Sequence, residues 1–209
     1  MGFTITDAFV LLFGYLLGSI NPAIILSKMS GNGDVRDYGS GNAGTSNITR
    51  TLGIKYGIVT ALFDIFKGWL AAYVGMRFLP VDGVLLGGFA AMLGYRYPIF
   101  FGLKGGKCVA TYGGSLLAVD IRIALCYLAA WAFFILVTRY MAMGAILGVW
   151  IVPFAGGWFL PEFQVFRIYA VAVGWIICSF HKKNFKRVKR GLEPKVTLKL
   201  HHKEEKYDV

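Results

Sequence analysis

The chain has 209 residues, of which 56% are hydrophobic and 16% charged, with a mean hydropathy of +0.60. A water-soluble domain of this length rarely carries so little polarity, so the composition excludes an ordinary soluble enzyme and points to a bundle of membrane helices. The net charge is +11, and ten of the 22 Lys and Arg residues follow His181; a basic run beside a last apolar span marks the cytoplasmic end near anionic lipid, not a nucleic-acid site.

The first apolar run covers residues 7–28. It has no basic region before it and reads as a retained span, not a cleaved signal. A polar, glycine-rich stretch continues to residue 53. The next run, 56–80, contains Asp64 and Lys67, and 83–95 is apolar again after Asp82. A second glycine-rich loop, "RYPIFFGLKGGKC", leads into a short apolar piece at 109–119. The runs 121–138, 141–160 and 164–181 complete the pattern.

These seven passages predict an all-α polytopic bundle of about seven transmembrane helices. The pieces 83–95 and 109–119 are shorter than the roughly 20 residues of a straight span, so five spans is the alternative. Residues 1–196 are expected to form one integral-membrane domain and 197–209 a charged tail. With seven spans, Lys28, Arg36, Arg50, Lys55, Arg96, Lys104, Lys107, Arg139 and the tail share one side. Only Arg77, Arg122 and Arg167 fall on the other. The bias places the N-terminus outside and the C-terminus and both glycine-rich loops in the cytoplasm.

The first loop, "DYGSGNAGTSNITRTLG" at 37–53, has the parts of a phosphate cradle. Gly39, Gly41 and Gly44 let backbone amides approach an anion. Ser40, Thr45 and Ser46 add hydroxyls, Asn42 and Asn47 amides, and Arg50 a planar charged fork. The same composition suits a turn-rich linker. It is no Walker loop, and its partial match to G-x-G-x-x-G lacks a strand–helix context. In the second loop Gly105 and Gly106, flanked by Lys104 and Lys107, precede an apolar helix; this reads as a second anion site or as lysines flanking a span. Asp64 and Lys67, three residues apart, share a helix face and form either an interior functional pair or a structural one. His181 and Asn184 also share a face. Cys108, Cys126 and Cys178 lie in or beside apolar segments and read as small buried residues; no metal site or cofactor is expected. None of the three histidines has an Asp five residues later, which excludes the acyltransferase pattern H-x-x-x-x-D. There is no nucleophile elbow and no internal repeat of the transporter kind.

Five motifs in one order, "GSINPA", "DVRDYGSGNAGTSNITRTLG", "DIFKG", "GYRYPIFFGLKGGKCVAT" and "HKKNFKRVKRGLEPKV", span residues 18–196. They resemble the bacterial membrane glycerol-3-phosphate acyltransferases that use acyl-phosphate donors (the PlsY family). Asp34–Arg36, Gly39–Asn42, Asn47, Arg50 and Leu52–Gly53 match that family's first loop. Asp64, Lys67 and Gly68 match its D-x-x-K-G, and Leu103–Lys107 its Lys-Gly-Gly-Lys motif. His181, Asn184, Arg187, Gly191 and Glu193 match its end. Tyr95 stands where the family usually has histidine, Cys108 where glycine is usual, and Ala43 where proline is frequent. Asn21–Pro22 sets the first proline one place later than usual. Tyr95 rules out a histidine base at that position, while both anion loops remain intact.

The resemblance implies an enzyme of the bacterial cytoplasmic membrane, acting at its cytoplasmic face in the first acylation of phospholipid synthesis. It would transfer an acyl group from acyl phosphate to the sn-1 hydroxyl of glycerol 3-phosphate, giving 1-acylglycerol 3-phosphate and phosphate. Direct attack on an already activated donor needs no acyl-enzyme. Ser40, Arg50, Lys104 and His181 are the expected catalytic residues. Gly39, Gly41, Asn42, Gly44, Thr45, Asn47, Gly105, Gly106, Lys107 and Asn184 would hold substrate, with Arg36, Asp64 and Lys67 in support. His181 or the departing phosphate would take the proton. The rival readings are a transporter of a phosphorylated solute and a lipid-phosphate phosphatase.

Overall fold

The structure, a computed structural model, describes residues 2–79 and 82–196; the expected tail lies outside them. Among the described residues every regular element is helical. The chain clusters into two compact units, Met1–Ser115 and Leu116–Thr197.

In the first unit α1, Ile5–Ser19, starts at a reciprocal cap in which Thr4 and Asp7 satisfy each other's backbone N–H. The expected first span is broken at Ile20 and Asn21. Asn21 Oδ1 accepts from Ile24 N at 3.2 Å, and Pro22 opens α2, Pro22–Met29. After a 3-10 turn at Val35–Asp37 comes α3, Thr45–Leu52, which lies inside the stretch read from sequence as a polar loop. Gly53 at φ +97° separates it from α4, Ile54–Phe78. Then follow α5, Gly83–Arg96, and α6, Val109–Val119, within which the first unit ends.

Small residues set how closely these helices approach. A Cβ on Gly14 or Gly18 of α1 would run into Gly87 O or Ala91 O of α5, and one on Gly68 of α4 into Thr111 O of α6. This close packing buries Asp64 and Lys67, whose Oδ1 and Nζ are 2.7 Å apart. The pair inferred from their spacing is therefore formed, in the interior of the unit.

The second unit contains α7, Ile121–Thr138, α8, Met141–Gly148, α9, Ile151–Phe159, α10, Gln164–Phe180, and α11, Lys182–Lys189. Gly144 and Gly148 lie against Trp131, Gly156 against the Phe166 ring and Gly174 against Trp150. Trp150 and Trp175 meet edge to face at 5.4 Å. Val196 N donates to Arg139 O at 2.8 Å, returning the end of the described chain to the α7–α8 turn.

Ile5–Met29, Ile54–Phe78, Gly83–Phe101 and Ile121–Thr138 are long and apolar enough to cross a membrane. Counting α8 with α9, bent by 40°, and α10 with α11, bent by 58°, raises the number from 4 to 6. At 11 residues α6 is shorter than a straight span. Apart from α3, in the polar stretch, and α11, in the basic one, the helices coincide with the apolar runs of the sequence, two of which are divided by the breaks after Ser19 and after Gly148.

Candidate active site

The first glycine-rich loop is folded over its own apolar plug. Ala23, Ile24, Val35, Ala43 and Ile48 are fully buried together, with Leu26, Leu52, Tyr56 and Phe101 packed around them. Above the plug, Asn47 organises the loop. Its Nδ2 donates to Val35 O at 2.8 Å and Tyr38 O at 3.0 Å. Its Oδ1 accepts from Ser40 N at 2.8 Å and Ser40 Oγ at 3.2 Å. Four bonds exhaust what a carboxamide offers, so Asn47 shapes the loop from inside. Gly39 has φ +55°, and a Cβ there would lie 2.5 Å from Asn47 Oδ1, so a residue with a side chain is excluded twice over.

The loop ends at α3. Its N-cap, Gly44, brings no side-chain acceptor, so the first-turn N–H groups lack the partner a Ser or Asp would supply. Thr45 Oγ1 is buried beside them without a hydrogen-bond partner among the described residues. Uncapped amides at a helix start form an anion site. Asn42, Ser46 and Arg50 also make no side-chain hydrogen bond or ion pair among the described residues, in contrast to Ser40 and Asn47.

Arg36 joins this loop to the second. Asp34 accepts from Arg36 Nε at 2.9 Å and from Nη2 at 2.8 Å. The oriented guanidinium turns Nη1 to Phe101 O at 2.6 Å and Lys104 O at 2.9 Å. The guanidinium's hydrogen bonds hold the Asp34 carboxyl below the usual carboxylate range, against a smaller opposing effect of burial. The Lys104 side chain is exposed and without a hydrogen bond or ion pair among the described residues.

The expected offer of amides by Gly105 and Gly106 is not what the structure shows. Gly105 N donates to Arg96 O at 3.0 Å and Gly106 N to Tyr95 O at 3.2 Å, so these N–H groups close the C-terminal end of α5. Both glycines are buried, because the loop lies flat against Tyr95, whose hydroxyl donates to Ala43 O at 3.0 Å. Cys108 has φ +66°, and burial pushes its thiol up to about 12, which makes it chemically inert.

In the second unit His181 and Asn184 are both buried. His181 Nδ1 lies 2.8 Å from Ile177 O. A carbonyl only accepts, so Nδ1 carries the proton, and the lone pair of the neutral ring is on Nε2. Asn184 Nδ2 donates to Glu193 Oε1 at 2.7 Å, and Arg187 Nε to Glu193 Oε2 at 2.6 Å.

Of the expected site residues, the structure gathers Gly39–Thr45, Asn47 and Arg50 in one loop and helix start, and Arg36 links these to Lys104. Sequence reasoning missed α3, although Ile48 and Leu52, four apart in a polar stretch, carry its signal. Asn21 and Tyr95, noted there only as departures from the family pattern, both hold Ala43 O; nothing local in the sequence marks that convergence.

The family model described as glycerol-3-phosphate acyltransferase matches residues 8–191. A glycerol-3-phosphate acyltransferase of Brucella anthropi is 38% identical over 189 residues, covering 90% of this chain and 92% of that one. One of Shewanella halifaxensis is 37% identical over 201 residues, covering 95% and 99%. The crystal structure of PlsY, an integral membrane glycerol 3-phosphate acyltransferase, in its glycerol 3-phosphate form superposes with a TM-score of 0.85 at 34% identity over 91% of this chain and 96% of that one. Its lysophosphatidic acid form gives 0.82 at 33% identity.

Proposed function

This chain belongs to the glycerol-3-phosphate acyltransferase family, and from that premise we propose that it transfers an acyl group from acyl phosphate to the sn-1 hydroxyl of glycerol 3-phosphate. The solved relative exists in glycerol 3-phosphate and lysophosphatidic acid forms, the acceptor and the product of such a reaction. The observation that carries the reading is the uncapped start of α3, with buried Thr45 Oγ1 lacking a hydrogen-bond partner among the described residues, on a loop tied to the Lys104 backbone. Asn47 and Arg36 are spent on shaping this place, while Asn42, Ser46 and Arg50 are not.

The acceptor hydroxyl attacks the acyl carbonyl carbon, an ester bond forms, and the bond to phosphate oxygen breaks. The α3 amides, Arg50 and Lys104 hold phosphate and the charge that develops on the carbonyl oxygen. Ser40, Asn42, Gly41 and Lys107 complete the anion surroundings. Asn47 acts through Ser40, and Gly105 and Gly106 through the shape of the Lys104 loop. Asp64 and Lys67 support from the interior. The proton passes to His181 or to the departing phosphate, and Asn184 holds substrate.

With seven passages, α6 being the short one, the Lys and Arg bias of the sequence supports an N-terminus outside and both loops at the cytoplasmic face of the bacterial inner membrane, in one integral-membrane domain. A soluble dianion then arrives from water and a lipid-like donor from the bilayer.

The test is purified protein in detergent, given acyl phosphate with and without glycerol 3-phosphate. Acceptor-dependent lysophosphatidate, formed without CoA or acyl carrier protein and reduced about 100-fold or more in Lys104→Ala and Arg50→Ala, is the expected result. Near-normal turnover in both variants sinks the assignment. Phosphate release independent of the acceptor identifies a phosphatase, and solute uptake by vesicles without reaction a transporter.

A further inference from the structure

Tyr95 ends α5 at 4% exposure and touches both glycine-rich loops. Its hydroxyl donates to Ala43 O at 3.0 Å, directly before the N-cap of α3. Its carbonyl accepts from Gly106 N at 3.2 Å. The contact is close on both sides: a Cβ on Gly106 would enter the Tyr95 ring, and one on Gly44 would lie 3.0 Å from its hydroxyl.

The ring is itself held from the interior. Lys67 Nζ lies 4.2 Å from the ring centroid. The same ammonium is 2.7 Å from Asp64 Oδ1 and donates to Ile20 O at 2.7 Å, at the α1–α2 break. A fully buried ammonium with three directional partners cannot drift without losing one of them, and a buried charge losing a partner is costly. Asn21 Nδ2 also donates to Ala43 O, at 3.1 Å, but it ties that carbonyl to the helix break and not to the second loop. Among the described side chains that reach Ala43 O, Tyr95 is the one in contact with the Lys104 loop.

We propose that Tyr95 is a positioning residue for acyl transfer, setting the separation of the α3 phosphate cradle and the Lys104 loop from the buried side. The inference rests on the function proposed above. Arg36 makes the matching tie on the accessible side, through Lys104 O. Two ties on opposite sides fix an angle as well as a distance between the loops. Each loop retains its own binding groups without Tyr95, so a loosened tie leaves substrate capture in place and spoils alignment at the reacting carbon. Misplacement by about 1 Å costs on the order of 100-fold in rate.

Tyr95→Phe keeps the ring under Lys67 and against Gly106 and removes the hydroxyl, with its bond to Ala43 O and its contact with the buried Asp64 carboxylate. Expected are a fall in kcat of about tenfold, a KM for glycerol 3-phosphate within about twofold of wild type, and a protein that remains folded in detergent. Amide hydrogen exchange by mass spectrometry should quicken in peptides covering 39–47 and 100–108 together. A kcat within twofold of wild type, or unchanged exchange in either peptide, overturns the proposal. So does a loss of kcat matched by a KM rise or by loss of folded protein. If wild type forms no lysophosphatidate, the functional reading fails on its own, and the exchange comparison still decides whether Tyr95 couples the loops.

Discussion

Arg36 holds the backbone of Lys104: Nη1 donates to Lys104 O at 2.9 Å, while Asp34 grips the rest of the guanidinium. The residue that presents the exposed ammonium is thereby fixed by a residue of the other loop. The family resemblance implied only a supporting place for Arg36.

Arg36→Lys separates charge from geometry. Lysine keeps the positive charge, but its single ammonium cannot grip Asp34 through two nitrogens and also reach Phe101 O and Lys104 O. Turnover should drop roughly 10- to 100-fold, as for a displaced catalytic group. Steady-state kinetics in detergent check this, with Lys104→Ala as the reference. If Lys104 acts through its placement, Arg36→Lys in a Lys104→Ala background should cost little more.

Asp34 carries a pH dependence whose direction follows from the same contact. The guanidinium lowers the folded-state carboxyl below its unfolded value. The stabilisation is therefore fully present above about pH 4, the ordinary carboxylate range, and is lost as pH falls through the lowered folded value. Thermal unfolding midpoints from pH 7 down to 3 should fall more steeply for wild type than for Asp34→Asn. Parallel curves would show that the pair contributes nothing in solution.

Cys108 sits at φ +66°, where a Cβ is strained. Replacement by glycine and by alanine both delete the thiol and its contact with Met92 O, so their difference reports the backbone strain less the packing of one buried Cβ. Cys108→Gly should be more stable than Cys108→Ala by about 1 kcal/mol, the reverse of the order at an ordinary helical position. Chemical unfolding of the two variants in the same detergent measures it.

Helix positions were legible because apolar runs in a membrane chain coincide with elements, and runs such as 121–138 and 164–181 became α7 and α10 with little change. The break at Ile20–Asn21 was not, because apolarity continues through it and only Asn21 and Pro22 betray the cap and restart of a helix. In the first loop composition named the ingredients without their division of labour. Asn42 and Asn47 are chemically alike; one is spent on the loop's own backbone and the other is not, which depends on Val35, Tyr38 and Ser40 arriving around one carboxamide. Gly105 and Gly106 were read as offering amides to an anion, but their amides meet the carbonyls of Arg96 and Tyr95, a contact set by helix packing rather than by neighbours in sequence.

Asn47 supplies the last expected outcome. Alanine there leaves Ser40 N without its acceptor and takes one donor each from Val35 O and Tyr38 O, which keep Tyr38 N and Gly41 N. A polar group left unpaired costs about 1–3 kcal/mol, so Asn47→Ala should lower stability by about that much and turnover with it. Asn47→Asp is nearly isosteric and keeps the acceptor for Ser40, yet it turns carboxylate oxygen toward the two carbonyls that Asn47 served as donor. Burial and those carbonyls raise the new carboxyl's folded pKa, so its penalty is greatest at high pH and shrinks as pH falls through that raised value. Unfolding midpoints of the aspartate and alanine variants should therefore differ more at pH 8 than at pH 5, with the aspartate variant gaining relative to alanine on acidification. A difference independent of pH would mean that water, not Val35 O and Tyr38 O, faces the side chain, and that the loop is held by its plug alone.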